Sequence, residues 1–280
     1  MGDKARAYRQ YLIPQHFLSE CFGLLANTKI TWFKTWAINR FIRKYHIDLK
    51  DALTPDPNAY ATFNEFFIRK LTPQSRPIAE DANAIISPAD GTIAQIGHAN
   101  KNQLLQAKQF YFSLETLFGN DKKTASYFED GAFTTIYLAP HNYHRVHMPI
   151  NGRLERTIYV PGKLFSVNRA TTDHIPNLYA RNERFIAVFN TDVGKMAVVF
   201  VGAMIVGSIQ PSWMNQPVRG KQIASIHFTN PIPFQKGDEL GYFNLGSTVI
   251  LLFEKNKTEW QPTLQPNSPI NFGEKIGLLK

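Results

Sequence analysis

Three short stretches of this chain hold residue types that could perform chemistry, although they lie far apart. Together they supply a carboxylate, two histidines and a serine preceded by a glycine. These residues are Asp90, His144, His147 and Ser247. A histidine can take the proton of a hydroxyl group, and a carboxylate can orient that histidine. The residue types therefore permit nucleophilic catalysis by the serine.

Each of these elements alone also has an ordinary structural interpretation. Asp90-Gly91 is a common turn dipeptide, and Gly246-Ser247 could be a turn before a buried strand. Ser247 is followed by Thr-Val, so the chain lacks the G-x-S-x-G turn that carries the serine of α/β-hydrolases. An ordinary lipase is therefore disfavoured.

Three histidines, His141, His144 and His147, recur every third residue and could suggest a metal site. Pro140 and Pro149 bracket them, which favours an extended segment over a helix. On a strand, residues three apart point to opposite sides. We expect no metal site here, because no HExxH motif or pair of cysteines supports one.

The composition is that of an ordinary globular protein with 280 residues, 44% of them hydrophobic. The one cysteine, Cys21, excludes an internal disulfide and favours a reducing compartment. No signal peptide is visible, and the longest nearly apolar run, Met196–Val206, is far shorter than the roughly 20 residues of a membrane span.

The N-terminal segment is basic and amphipathic. Residues 1–50 contain nine lysines and arginines against three acids, so they carry +6 of the net charge of +9. Apolar periodicity predicts helices over residues 14–26 and 29–46. The second helix carries Trp32 and Trp36 beside a basic flank, which suits a membrane interface. Packing on the rest of the protein is the alternative.

The sequence that follows these helices predicts a β-rich structure. Thr62 and Glu65 have capping-box spacing and predict a short helix through Leu71. Residues 256–272 read as an irregular tail, and Gly237 to Glu239 as a tight turn. The predicted strands are Gly91–Ile96, Ala132–Leu138, Leu154–Val160, Phe185–Asn190, Met196–Val206, Gln222–Phe228 and Ser247–Phe253. We therefore expect an α+β fold, with N-terminal amphipathic helices before a β-rich barrel or sandwich.

The same stretches, in order along the chain, resemble the signature segments of one enzyme family. Its L-G-S-T, Y-H-R-x-H-x-P and S-P-x-D-G segments correspond to residues 245–248, 143–149 and 87–91. Further similar stretches lie at residues 63–69, 161–168, 180–184 and 201–208. The chain thus resembles the phosphatidylserine decarboxylases of the bacterial and mitochondrial type, from about residue 60 to 253.

The resemblance implies a zymogen that cleaves itself between Gly246 and Ser247. Residues 1–246 would form the β chain and residues 247–280 the α chain. Ser247 Oγ would attack the carbonyl of Gly246, with His147 as the base and Asp90 holding and polarising His147. Elimination and hydrolysis would then convert Ser247 into a pyruvoyl group and release ammonia.

For the reaction, the resemblance implies a carboxy-lyase. The pyruvoyl group would form a Schiff base with phosphatidylserine, absorb the electrons freed by loss of CO2, and yield phosphatidylethanolamine. His144, or alternatively His147, would return a proton to carbon. Residues 1–50 would contact the anionic membrane, and residues 51–280 would form the catalytic domain.

The resemblance also suggests a homodimer, and the lack of a transit peptide favours the cytoplasmic face of a bacterial inner membrane. No nucleic-acid motif accompanies the basic charge. Three other interpretations are a silent homologue that only binds lipid, a conventional serine hydrolase, and a carrier-type barrel-sandwich domain. The last lacks the lysine in a hairpin turn that such carriers need.

Overall fold

A computed structural model describes residues 2–107, 110–204, 208–244 and 247–280. The helices are α1 Asp3–Arg9, α2 Gln15–Ala26, α3 Thr31–Tyr45, α4 Phe63–Phe67, α5 Leu114–Leu117, α6 Lys122–Ser126, α7 Arg169–Thr172 and α8 Leu178–Arg181. The strands are β1 Ala84–Ile86, β2 Gly91–His98, β3 Gln103–Ala107, β4 Phe110–Ser113, β5 Ala132–Leu138, β6 Arg145–His147, β7 Gly152–Val160, β8 Arg184–Thr191, β9 Gly194–Val201, β10 Ile209–Pro211, β11 Ala224–Phe234, β12 Glu239–Phe243, β13 Ser247–Phe253, β14 Thr258–Trp260, β15 Pro269–Ile270 and β16 Lys275–Leu279. The predicted α+β class is confirmed.

An eight-stranded antiparallel sheet organises the core, in the order β11-β7-β8-β9-β13-β5-β2-β15. Two three-stranded sheets, β1-β16-β14 and β10-β12-β6, and the β3-β4 hairpin complete the β structure of the described residues. Strand β13 is buried at every residue and pairs with β5 on one side and β9 on the other. Its continuous apolar run suits a strand covered on both faces.

Most predicted strands are confirmed, and two of them, β5 and β13, have the predicted bounds. β11 runs on to Phe234, past the predicted end at residue 228. The predicted strand Met196–Val206 is shorter, since β9 ends at Val201, and Ile205 and Val206 lie outside the described residues.

The irregular tail predicted for residues 256–272 is wrong in part. Strands β14 and β15 fall within it, and β16 follows it. β15 pairs with β2, and β16 pairs with both β1 and β14. These strands of two to five residues are too short for an alternating pattern to reveal them.

Helix α4 begins as predicted but ends early. Thr62 Oγ1 accepts a hydrogen bond from the Glu65 N–H, and the Glu65 carboxylate accepts one from the Ala61 N–H. The helix stops at Phe67 instead of continuing to Leu71, because Leu71 forms a β-bridge with Ala52. Tertiary pairing therefore overrides the local helical pattern.

The two predicted N-terminal helices are confirmed as α2 and α3. Unlike an ordinary amphipathic helix, α2 buries mainly polar residues and exposes apolar ones. Its buried residues are Gln15, Ser19 and Ala26, whereas Phe17 and Leu24 are 63% and 77% exposed. In α3, Trp32 and Trp36 are 73% and 54% exposed. These helices therefore present much of their apolar surface to the outside.

Side-chain hydrogen bonds dock the end of α1 and the start of α2 onto the loop that follows β7. Gln15 Oε1 accepts from the Leu164 N–H at 2.7 Å, and Gln10 Oε1 accepts from the Ser166 N–H at 2.8 Å. A His16 ring nitrogen lies 2.9 Å from the carbonyl oxygen of Gly162. None of the helices in the described ranges is both long and apolar enough to cross a membrane.

Candidate functional site

Ser247 is the first residue of the central strand β13. It lies opposite Leu138 of β5, and the next residue, Thr248, lies opposite Val201 of β9. Ser247 is fully buried, and its Oγ has no hydrogen-bond partner among the residues that the structure describes. A buried hydroxyl without a partner costs free energy, so such an atom calls for an explanation beyond packing. Leu245 and Gly246, the other residues of the predicted cleavage motif, lie outside the described residues.

His144 is the second buried polar group of this region without partners. Its ring stacks on Phe67 with centroids 4.1 Å apart, and neither ring nitrogen makes a well-aligned hydrogen bond with a residue in the described ranges. Burial lowers the pKa of His144 to about 3, and the charge of Arg69 acts in the same direction. The carbonyls of Pro140 and Ala139 partly oppose this shift without forming well-aligned hydrogen bonds. His144 is therefore neutral at neutral pH.

Strand pairing puts His144 beside the segment that leads to Ser247. The Phe243 N–H donates to the His144 carbonyl at 3.1 Å, and Arg145 lies opposite Tyr242. His147 lies opposite Glu239. It follows His144 by three residues, so the backbones of the two histidines lie about 10 Å apart along the extended chain. Of the two histidines, His144 is therefore the one paired next to residue 243.

His147 has a different environment, with both ring nitrogens occupied. Nδ1 lies 2.9 Å from the Gly237 carbonyl oxygen, and Nε2 lies 3.0 Å from Tyr143 Oη. A carbonyl only accepts, so Nδ1 carries the hydrogen and Nε2 of the neutral ring accepts from Tyr143. The ring also stacks on Phe272 at 3.8 Å. Burial lowers the pKa of His147, which favours this neutral form.

Asp90 makes contacts that the sequence did not predict. Its carboxylate accepts from Arg76 Nη2 at 2.8 Å and Nε at 3.0 Å, and Oδ1 accepts from the Phe272 N–H at 2.8 Å. The direct hydrogen bond expected between Asp90 and His147 is replaced by these partners. The connection runs through Phe272 instead, because its backbone is held by Asp90 and its ring stacks on His147.

An ion pair locks the short strand that carries the histidines. Arg145 Nη1 donates to both carboxylate oxygens of Glu239, at 2.7 and 2.8 Å, and Arg145 Nε donates to the carbonyl of Ile68. This ties β6 to β12 and to the end of α4. Within the described ranges, no three His, Cys, Asp or Glu side chains come together in a way that could hold a metal ion.

Four contact residues of the site were missed by reasoning from the sequence. Tyr143 stood inside a conspicuous stretch, but nothing there indicated a bond to His147. Phe67, Arg76 and Phe272 reach the site from segments that carry no chemical motif. Only the folded chain brings them together.

Comparison with known proteins covers nearly the whole chain. A family model described as phosphatidylserine decarboxylase matches residues 63–278, and a second, described as PSD, matches residues 6–46. The phosphatidylserine decarboxylase proenzyme of Alcanivorax borkumensis is 47% identical over 99% of this chain and 97% of its own length. Those of Saccharophagus degradans and Coxiella burnetii are 45% and 46% identical, over 100% and 95% of this chain and 99% and 95% of their own lengths.

A match of this length and identity leaves no stretch of the fold without a counterpart in these relatives. It extends from the N-terminal helices through β13 to the last strand. The chain therefore belongs to the phosphatidylserine decarboxylase family.

Proposed function

We propose that this chain cleaves itself between Gly246 and Ser247 and then converts phosphatidylserine into phosphatidylethanolamine and CO2. The relatives that match it from end to end are phosphatidylserine decarboxylase proenzymes, a name that denotes a precursor requiring processing. The observation that carries the proposal is the buried, unpartnered Oγ of Ser247 within the L-G-S-T segment. Such a hydroxyl suits a nucleophile better than a structural hydrogen bond.

In the proposed cleavage, Ser247 Oγ bonds to the carbonyl carbon of Gly246 and the peptide nitrogen leaves that carbon, so the amide becomes an ester. Removal of the Ser247 α-proton then breaks the ester bond to Cβ. The first fragment leaves with a carboxylate at Gly246. The second begins with dehydroalanine, which takes up water and releases ammonia to give a pyruvoyl group.

We propose His147 as the base that takes the Ser247 proton. Its lowered pKa keeps the imidazole neutral and able to accept a proton at neutral pH. Nε2 is the accepting nitrogen, since Nδ1 is bonded to the Gly237 carbonyl, and Tyr143 must release Nε2 before it can act. Asp90 is a positioning residue in this proposal, acting through Phe272 and through its charge.

The residues around Ser247 fit a pyruvoyl group at that position. Ser247 Oγ and the two ring nitrogens of His144 are buried and make no well-aligned hydrogen bond within the described residues. When formed, the group supplies a carbonyl that bonds the amine of the substrate and takes up the electron pair freed as CO2 leaves. The ladder of β13 with β5 and β9 would hold residue 247 in place.

We propose His144 as the residue that returns a proton to the substrate carbon. Burial keeps it neutral, with a pKa of about 3. An anionic substrate beside the ring would stabilise the imidazolium and raise that pKa. Proton uptake by His144 would then accompany substrate binding, which delivers the proton only when it is needed.

The intact mass of the purified protein tests the proposal first. Cleavage predicts fragments of 246 and 34 residues, the smaller with a blocked N-terminus, from the chain of 280 residues. Carbonyl reagents such as hydroxylamine should then abolish decarboxylation. A single chain that reacts with fluorophosphonates would identify a conventional serine hydrolase, and a stable unreactive chain would identify a silent homologue.

Residues 1–50 are proposed to attach the protein to the surface of an anionic membrane. The exposed apolar side chains of α2 and α3 could enter the headgroup region, and the net charge of +6 would attract anionic lipid. We place this attachment at the cytoplasmic face of a bacterial inner membrane. The proposal includes a homodimer on the ground of the family resemblance alone.

A further inference from the structure

A polar pocket of about 350 Å³ lies between α2 and the segment that leads to Ser247. Its volume falls in the range of small-molecule sites. Helix α2 contributes Glu20, helix α4 contributes Asn64, and the core contributes Ser208, Arg219 and Asn244. None of these five side chains has a role in the cleavage chemistry proposed above.

Two residues that line this pocket have amide oxygens without a hydrogen-bond partner among the described residues. Asn244 Nδ2 donates to Ser208 Oγ at 2.7 Å, which leaves Asn244 Oδ1 as an acceptor. Asn244 Oδ1 and Asn64 Oδ1 are both buried and unpartnered. Leaving two buried acceptors without donors is costly, and a ligand that brings N–H groups into the pocket would satisfy both.

Two of the residues that line the pocket are connected to His144 through their neighbours in the chain. Asn64 and Phe67 are three residues apart on α4 and so share a face of that helix, and Phe67 stacks on His144. Asn244 follows Phe243, whose N–H donates to the His144 carbonyl. Each of the two asparagines is therefore linked to the proposed proton donor through a neighbouring phenylalanine.

Charge and polarity around the pocket match a phospholipid headgroup that carries both signs. Arg219 suits a carboxylate or phosphate, and amide oxygens suit an ammonium group. An apolar groove of about 330 Å³, lined by Phe22, Trp36 and Phe63 among others, lies next to it. Pocket and groove share Ala26, and Phe63 directly precedes Asn64. Headgroup and lipid tail could thus occupy adjoining spaces.

We infer that this pocket receives the serine headgroup, with Asn64 Oδ1 and Asn244 Oδ1 accepting hydrogen bonds from its ammonium group and Arg219 facing its anionic end. The inference rests on the proposed function for the identity of the substrate. It makes the two asparagines specificity-determining residues, because they recognise the amine that must react.

The test measures binding to the full-length Ser247→Ala chain, which cannot be processed. Glycerophosphoserine serves as a soluble headgroup probe and is titrated by calorimetry. Asn64→Ala should weaken its affinity about tenfold, the loss expected for a hydrogen bond to a charged group. Asn102→Ala is the matched control, because Asn102 Oδ1 is also buried and unpartnered but lies outside the pocket.

Two altered probes identify which end of the headgroup each residue binds. N-acetyl-glycerophosphoserine lacks the ammonium group, so it should bind more weakly and show no further loss with Asn64→Ala. Glycerophosphoethanolamine lacks the carboxylate but keeps the phosphate. If Arg219 binds the carboxylate, Arg219→Gln should weaken glycerophosphoserine more than glycerophosphoethanolamine, and equal weakening would assign Arg219 to the phosphate.

Asn244→Ala provides a second variant on a different segment, in case Asn64→Ala does not fold. Equal affinity for the pocket variants and Asn102→Ala would overturn the inference, even where the wild type decarboxylates phosphatidylserine. A tenfold loss in the pocket variants, with a wild type that never decarboxylates, would instead contradict the proposed function and support the binding site.

Discussion

The N-terminal helices and the β-rich core place their side chains in opposite ways. In the core, strand β13 is buried at every residue, and β9 beside it is buried from Met196 to Val201. In the helices, Gln15 and Ser19 are buried while Phe17, Leu24 and Trp32 are mostly exposed. The core uses its apolar surface for folding. The helices keep theirs available, which is consistent with a role at a membrane.

The two regions also differ in how their polar groups are used. Gln10 and Gln15 hold the helices to the loop after β7 by hydrogen bonds to backbone N–H groups. In the core, Ser247 Oγ and the ring nitrogens of His144 make no well-aligned hydrogen bond within the part of the chain that the structure describes. Side-chain amides therefore attach the helices, whereas the core keeps the proposed catalytic atoms of Ser247 and His144 without such bonds. The predictions below test this division.

The largest effect should come from Ser247→Ala. This change removes the proposed nucleophile, so cleavage should cease and decarboxylation should fall by at least about a thousandfold. Vesicle binding should stay unchanged, since the helices of residues 1–50 are proposed to provide it. Mass spectrometry, an activity assay and vesicle sedimentation check the three outcomes. Ser212→Ala, an exposed serine, is the control. Normal cleavage of the Ser247→Ala chain would contradict the proposed mechanism.

Asp90→Asn should destabilise the core by about 2 kcal/mol, because the largely buried Arg76 guanidinium then keeps only the more exposed Asp51 as a carboxylate partner. Urea unfolding of the Ser247→Ala chain measures the change without interference from cleavage. The matched control is Asp130→Asn, which breaks the exposed pair with Lys255 and should cost less than about 1 kcal/mol. Equal losses of unfolding free energy in both variants would contradict the expectation that the buried ion pair stabilises the protein more than the exposed one.

Changing Trp32 and Trp36 together to Ser should weaken binding to anionic vesicles by about 2 kcal/mol or more, because both rings would lose apolar contact in the interface. The free energy of unfolding should change little, since both side chains are exposed. Tyr111→Ser, at a half-exposed aromatic residue of β4, is the control and should leave vesicle binding unchanged. Unaltered binding by the tryptophan variant would assign these helices to packing.

The smallest effect is a pH dependence of stability that belongs to the core. His144 has a pKa of about 3 when folded and 6.5 in its reference state, so between these values the unfolded chain binds a proton that the folded chain does not. Stability should therefore fall as pH drops below about 6.5, by about 1.4 kcal/mol per pH unit for this residue. His147, whose pKa is also lowered by burial, acts in the same direction.

Urea unfolding at pH 7.5, 6.0 and 5.0 measures this slope. His144→Phe should reduce it, because the buried ring then has no proton to exclude. His227→Phe, at an exposed position of β11, should leave the slope as it is. A slope that is the same in all three proteins would show that other groups control the acid response.

The sequence predicts those parts of the fold that local patterns determine. β5 and β13 have their predicted bounds because each is a continuous β-prone run between turn residues. The orientation of α2 was not predictable, since an apolar stripe on a helix ordinarily faces a core. The orientation of α2 is set by long-range hydrogen bonds from Gln15 and its neighbours. Such bonds produce no periodic pattern in the sequence.

The candidate site divides in the same way. Its reactive residue types stand in conspicuous motifs, so Asp90, His144, His147 and Ser247 could be singled out. Their partners could not, because Arg76 and Phe272 lie in segments with no chemical signal and reach Asp90 only after folding. The pairing of His144 with Phe243 likewise depends on the register of two short strands, which composition does not determine.

The position of β13 has a consequence for the processed protein. Cleavage before Ser247 would leave a small fragment with four strands, three of which pair with strands of the large one: β13 between β5 and β9, β15 against β2, and β16 against β1. Unfolding would then become a dissociation of two polypeptides, so its midpoint would rise with protein concentration. The precursor folds as one chain, whereas the cleaved product would have to reassemble from two. The lifetime of the folded product would therefore depend on a slow rate of unfolding as well as on its equilibrium stability.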